Sequence, residues 1–166
     1  DVGFTQVVLA RELTLKEIQQ IASETDVALE AFVHGALCVS YSGQCYLSAA
    51  LSGRSANRGE CAQYCRLPYT MVDANGKVIA SQKHLLSLRD MNRSDDLEAM
   101  MDAGISSFKI EGRLKDVSYV KNVTAWYRNK LDEILARRPE YIRASVGESR
   151  YTFTPQVAKS FNRGFT

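Results

Sequence analysis

Three runs near the start of the chain decide the fold: Thr5-Gln6-Val7-Val8-Leu9-Ala10, Thr14-Leu15-Lys16-Glu17, and Ala28-Leu29-Glu30-Ala31-Phe32-Val33-His34. The first is short, apolar and rich in β-branched residues, which predicts a buried strand. The second is a T-x-x-E capping box, and Leu15, Ile18, Ile21 and Ala22 follow at helical spacing. A helix to about Glu24 is expected. The third reads as another strand, ended by Gly35. Strand, helix and strand in this order imply a parallel pair joined by a right-handed crossover.

The rest of the chain continues the alternation. Tyr69–Val72 and Lys77–Ala80 flank Asp73-Ala74-Asn75-Gly76. Asn-Gly between two apolar runs marks a β-hairpin, because its turn needs positive φ. His84–Leu88 is a further strand candidate. Ser94 is placed to cap a helix reaching about Ala103, with Asp95 and Asp96 at its positive end and Gly104 as its stop. Ser106–Glu111 reads as a strand. Asp116 or Ser118 then opens the longest helix, to about Arg137, with Val120, Val123, Tyr127, Leu131, Ile134 and Leu135 on its apolar side. Pro139 closes it. Beyond that point the periodicity fades, and Tyr151–Thr154 is the one remaining strand candidate.

The pattern is α/β and predicts a partial (β/α) TIM-type barrel with a cysteine-rich insertion and a β-hairpin. Residues 1–138 are expected to be the C-terminal half of such a barrel, including the insertion at 36–68. Residues 139–166 are expected to start a following segment. About half the strands of a closed barrel are present, so a fragment of a larger protein is expected. Such a fragment would hide its open strand edges by forming a homodimer.

Composition narrows the class. The chain has 166 residues, 45% hydrophobic and 24% charged, which is ordinary for a globular domain. No apolar run is long enough to span a bilayer. The chain starts at Asp1, which leaves a removed or missing N-terminus open, and its residues contain no signal peptide; a cytoplasmic location is expected. A net charge of +2 permits nucleic-acid contact without arguing for it.

The four cysteines, Cys38, Cys45, Cys61 and Cys65, are spaced C-x6-C-x15-C-x3-C in a polar, glycine-rich stretch. Four thiolates meet the needs of a tetrahedral zinc site or an iron–sulfur cluster. An even count also allows two disulfides or free thiols. The paired C-x2-C knuckles of a zinc ribbon are missing, which counts against zinc. Arg54, Arg58 and Arg66 accompany the cysteines and are suited to offset thiolate charge or to contact phosphate.

Side chains alternate along a strand, so Glu30, Phe32 and His34 are expected on one face and Leu29, Ala31 and Val33 on the other. In the same way Lys109 and Glu111 should share a face, with Arg113 just beyond Gly112. Charged groups inside a strand are costly unless paired or functional. Glu30, His34, Lys109, Glu111 and Arg113 are therefore the candidate catalytic residues, suited to holding a small anion and moving a proton. A hydrogen-bonded core histidine and a structural ion-pair network are the competing explanations.

The run Glu30-Ala31-Phe32-Val33-His34-Gly35-Ala36-Leu37-Cys38, with Tyr41-Ser42-Gly43-Gln44-Cys45 and Leu47-Ser48, closely resembles the signature of peptidase family U32, the collagenase-like proteases. The resemblance continues through GRSANRGECAQYCRLPY, KHLLSLRDM, FKIEGRLK and YVKNVTAWYR to FNRGFT, covering most of the chain from Leu29. Within the family, GRSANRGECAQ-CR is most similar to the branch that hydroxylates a cytidine of 23S ribosomal RNA. Sister branches act in tRNA uridine hydroxylation and in ubiquinone hydroxylation without oxygen. The resemblance implies a [4Fe–4S] cluster on Cys38, Cys45, Cys61 and Cys65, prephenate as hydroxyl donor, and ribosomal RNA or its precursor as partner. Tyr64 departs from the pattern, standing where C-A-Q-P-C has proline.

The peptidase label fits the residues less well. There is no Ser/His/Asp arrangement and no H-E-x-x-H motif, and His34 and His84 are the only histidines. A cysteine peptidase would have to use Cys38 with His34, and a cluster would occupy that thiol. A third reading is a structural module, stapled by zinc or disulfides, with no chemistry of its own.

Overall fold

The computed structural model describes residues 3–164. Asp1, where the first expected segment begins, and Phe165 and Thr166, which end the FNRGFT run, lie outside the described residues. The elements are mixed α/β, and two compact units divide the chain. One runs to Ala36 and resumes at Asp90; the other is Leu37–Arg89.

In the first unit β1 (Gln6–Val8) pairs parallel with β2 (Ala28–Ala36), joined by α1 (Leu15–Ser23). The capping box forms in full. The Glu17 amide donates to Thr14 Oγ1 at 3.3 Å and the Thr14 amide to Glu17 Oε2 at 2.8 Å. β6 (Ile105–Ile110) pairs parallel with β2. β5 (Asp90–Asn92) pairs antiparallel with residues 34–36 of β2. Leu29 and Glu30 pair with both β1 and β6, so those strands lie on opposite edges of β2. Among the described residues the sheet does not close into a barrel.

The core lies on one face of this sheet. Leu29, Ala31 and Val33 of β2 pack with Ile18 of α1 and with Leu97 and Met100 of α3 (Leu97–Asp102). Val123, Tyr127 and Ile134 of α4 (Val117–Arg137) complete it. Asp116 caps α4 by accepting from the Tyr119 amide at 2.7 Å. The expected apolar stripe needs adjustment, because Tyr119 and Ala125 are buried while Val120 is exposed. At the far end of α4, Arg138 bridges Glu98 and Asp102 of α3, fastening the two helices.

Several expectations are corrected. The first strand is not buried: Val7 and Val8 are 39% and 43% exposed, because among the described residues β1 pairs only through its β2 edge. Gly35 does not end β2 but pairs with Met91 inside it. His84–Leu88 forms turns instead of a strand, and the strand follows at β5. The helix expected from Ser94 begins at Leu97 behind Asp96, since Ser94 sits in the preceding turn and donates its amide to Asn92 Oδ1. Tyr151–Thr154 forms no strand.

The second unit holds α2 (Leu47–Ser52), two short 3₁₀ turns (Ala56–Arg58 and Tyr64–Arg66), and a hairpin of β3 (Tyr69–Val72) and β4 (Val78–Lys83). The hairpin turn is closed by Asp73. Its carboxylate accepts from the amides of Asn75 and Lys77, each at 2.9 Å, and Gly76 takes the required positive φ of 81°.

Candidate functional site

Two groups of functional side chains are assembled, one in each unit. In the second unit the cysteines come from separate stretches: Cys38 just after β2, Cys45 ahead of α2, Cys61 between the two 3₁₀ turns, and Cys65 inside the second. Short-range polar contacts hold these stretches in place. Cys38 Sγ accepts from the Ser40 amide at 3.5 Å, and Asn57 Oδ1 accepts from the Cys45 amide at 3.3 Å. The buried Ser48 hydroxyl accepts from the Ala62 amide at 3.0 Å, tying α2 to the loop that carries Cys61. Arg66 spans the ends of the unit, donating to the Leu37 carbonyl at 2.5 Å and to Ser87 Oγ at 2.8 Å.

All four cysteines are free thiols, and all four line one cavity of about 350 Å³. Burial pushes the Cys65 thiol up; the Arg66 guanidinium pulls it down, and Cys38, Cys61 and Cys45 push it further up. The other three sulfur groups therefore lie within electrostatic range of Cys65. No histidine or carboxylate among the described residues lines the cavity. Among the described residues no three metal-ligating side chains are grouped to hold a single ion. Four thiols on one cavity form a sulfur-only donor set, the ligand type of zinc sites and iron–sulfur clusters alike.

In the first unit, two compensating irregularities in the β2–β6 pairing set the geometry. Leu29 pairs with Ile105 and Glu30 with Ser107, so Ser106 is extra on β6. Phe32 pairs with Lys109 and His34 with Ile110, so Val33 is extra on β2. A bulge re-aims the side chains beyond it. Before the bulge the expected face holds. Glu30 pairs with Lys109 at 3.4 Å and accepts from Ser107 Oγ at 2.7 Å and from Gln6 Nε2 at 2.8 Å. The Ser107 bond is the main reason its carboxyl sits below the usual range. Lys109 and Arg11 both lie against the Phe32 ring, with Nζ 5.1 Å and Cζ 3.9 Å from its centroid. Arg11 also pairs with Glu111 at 2.7 Å and donates to the Ala36 carbonyl at 2.5 Å.

Beyond the bulge the expectation fails. His34 does not share the face of Glu30 and Phe32. It is 1% exposed and packs against two tyrosines of α4, with ring centroids 5.5 Å from Tyr127 and 6.2 Å from Tyr119. The Tyr127 hydroxyl donates to the Val33 carbonyl at 2.7 Å, and His34 Nδ1 lies 3.3 Å from the same oxygen. The same hydroxyl lies 3.0 Å from Asn92 Oδ1, so Val33, Asn92 and His34 converge on one phenol. Burial pulls the His34 pKa down, against the Asp90 carboxylate, which pulls it up. Burial likewise pushes the Tyr119 phenol up to about 12.

The structure thus brings Glu30, Lys109 and Glu111 together and sets His34 apart on the helix side. Arg113 is exposed, its amide donating to Glu111 Oε1 at 3.3 Å. Sequence reasoning missed Arg11, although a cation just past the C-terminal end of a parallel strand is the available signal. It also missed Tyr127, which resembles any apolar residue of a helical stripe.

Comparison with known proteins follows the same lines. The sequence model of Peptidase family U32 matches residues 1–166. The chain is 57% identical over 166 residues to 23S rRNA 5-hydroxycytidine C2501 synthase of Escherichia coli (strain K12), covering 100% of this chain and 25% of that protein. It is 35% identical over 146 residues to tRNA hydroxylation protein P1 of Bacillus subtilis (strain 168), covering 84% of this chain and 35% of the relative. It is 39% identical over 139 residues to a collagenase of Porphyromonas gingivalis, covering 84% and 37%. The chain therefore spans about a quarter to two fifths of the length of these relatives. No solved structure matches it.

Proposed function

The chain belongs to peptidase family U32, and from that premise we propose that it is part of a cluster-dependent RNA hydroxylase acting on a cytidine of 23S ribosomal RNA. The observation that carries the proposal is the cavity walled by Cys38, Cys45, Cys61 and Cys65. It gives a physical reason for the cysteine spacing that a peptidase does not need. The relatives named for rRNA and tRNA hydroxylation support the choice of RNA as substrate.

In this reading the four thiolates hold a [4Fe–4S] cluster, which when bound supplies redox chemistry at the modified base. Arg66 offsets part of the thiolate charge. The parallel β1, β2 and β6 form a sector of a (β/α) barrel, with the Arg11, Phe32 and Lys109 face at its functional end. That face binds the hydroxyl donor, prephenate, a dianion suited to two cations beside an aromatic ring. Glu111 and Glu30 position Arg11 and Lys109. Work on ribosomal RNA would place the protein in the cytoplasm.

The collagenase-named relatives favour a second reading, peptide hydrolysis. His34 argues against a Cys38–His34 pair, since its ring is buried and engaged with Tyr127.

Anaerobic reconstitution with iron and sulfide tests the proposal. The expected result is a brown protein with about four irons and four sulfides, lost in Cys→Ser variants at 38, 45, 61 and 65. A colourless protein that binds no iron under those conditions would defeat it, and casein cleavage abolished by Cys38→Ala would favour the peptidase.

A further inference from the structure

A second cavity, of about 400 Å³, lies between the start of α4 and the segment 153–161. It shares no residue with the thiol cavity or with the Arg11–Lys109 face. We propose that it is a docking pocket for one nucleotide of single-stranded RNA, a role that deepens and rests on the RNA reading above.

Four observations carry the proposal. First, the pocket is preformed. The Asn122 side chain donates to the Gln156 carbonyl at 2.8 Å and to Ser160 Oγ at 2.6 Å, and it accepts from the Gln156 amide at 2.8 Å. Three bonds from one side chain fasten an otherwise irregular segment to α4. Second, the walls carry two phenylalanines, Phe153 and Phe161, that remain 41% and 59% exposed. The core has not taken them up; Phe153 packs 5.3 Å from the Tyr151 ring, centroid to centroid, and part of each phenylalanine stays open to solvent. Third, Lys121 and Lys159 line the same cavity, and neither is drawn into an ion pair among the described residues. Lys115 lies 4.0 Å from the Phe161 ring centroid, and Arg163 lies 5.1 Å from it. Fourth, Ser118 and Thr154 add hydroxyls to the wall. The one carboxylate there, Asp116, is committed to the Tyr119 amide at the helix cap.

Size and chemistry point the same way. The volume falls in the range of small-ligand sites, about 300–1,000 Å³. An apolar metabolite would not call for the lysines, and a free anion would not call for two exposed rings. Aromatic faces interleaved with cations and hydroxyls are the means by which proteins hold unpaired nucleotides. A strand anchored here would be held by a base remote from the one being modified.

The test is fluorescence anisotropy with a labelled 12-nucleotide single-stranded RNA, together with photo-cross-linking of the same RNA carrying 4-thiouridine. Phe153→Ala and Phe161→Ala should each weaken binding about 5- to 100-fold. Lys121→Glu and Lys159→Glu should weaken it and flatten its salt dependence by about 0.7 to 1 in log–log slope per lysine. Phe4→Ala, which removes another exposed ring, should bind as wild type, and far-UV circular dichroism should show every variant folded. Cross-links should map to peptides containing Phe153 or Phe161. Unchanged affinity in the pocket variants, with cross-links elsewhere, would overturn the pocket and leave the RNA reading standing. Failure of the wild-type protein to bind the RNA at any salt concentration would overturn the pocket as well. Intact pocket binding by a protein that takes up no cluster would instead refute the hydroxylase reading alone.

Discussion

A Cβ placed on Gly35 would lie 2.6 Å from the Cβ of Glu111 and 2.9 Å from its carbonyl oxygen. Gly35 also holds φ at +115°, a conformation that side chains other than hydrogen rarely adopt. The two strands therefore approach closely where β2 meets the residue that anchors Arg11. Gly35→Ala should destabilise the protein by about 2–4 kcal/mol, measured by urea denaturation. It should also weaken the Arg11–Glu111 contact. A loss below about 0.5 kcal/mol would mean that β6 yields easily here.

Tyr127 shares the Val33 carbonyl with the Arg93 amide, the two donating to it at 2.7 and 2.9 Å. Tyr127→Phe removes the donor while keeping the ring. The Arg93 amide, donating at 2.9 Å, keeps that carbonyl paired, so the loss should be that of one net hydrogen bond, about 0.5–1.5 kcal/mol. Unchanged unfolding midpoints in the variant would show that the Arg93 amide alone satisfies Val33.

His34 makes stability depend on pH. Its folded pKa is lowered by burial, so the unfolded chain binds more protons below its ordinary value near 6.5. The contribution is fully present above that value and is lost as pH falls through the folded pKa. Urea midpoints should therefore drop on acidification from pH 7, before the carboxylates begin to protonate. His34→Gln should flatten this part of the profile, and a variant with the wild-type slope would count against the assignment.

Arg66 bridges Leu37 to the turn at Ser87 and favours the Cys65 thiolate. Arg66→Ala should raise the Cys65 thiol pKa further, seen as an alkylation profile displaced to higher pH. It should also open Leu37–Arg89 to limited proteolysis, with a loss of about 1–3 kcal/mol from its hydrogen bonds. An unmoved alkylation profile would remove Arg66 from the thiol environment.

Arg11 and Lys109 flank Phe32 as the proposed anion site. In an rRNA hydroxylation assay Arg11→Ala should raise the KM for the anionic donor about 10- to 100-fold, the loss of one charge-assisted contact. A change confined to kcat would assign Arg11 a different role.

Local signals in the sequence carried far. The T-x-x-E box places α1, Asn-Gly places the hairpin, and the alternation in β2 separates Leu29, Ala31 and Val33 from Glu30 and Phe32. Each is decided by neighbours within a few residues, so the chain states it directly. The pairing of Glu30 with Lys109 was also within reach, because buried strand charges need partners.

What sequence could not supply was anything that depends on two strands sliding past one another. The extra residue at Val33 is invisible in the period-2 pattern, yet it turns His34 from the sheet's polar face to the tyrosines of α4. The same holds for Arg11, whose role appears only when β1 and β6 flank β2. The sequence by itself set which residues alternate, cap and turn, and that four thiols were available. Only the tertiary structure decided which side chains meet, because strand register and bulges arise from packing between segments as distant as Arg11 and Glu111.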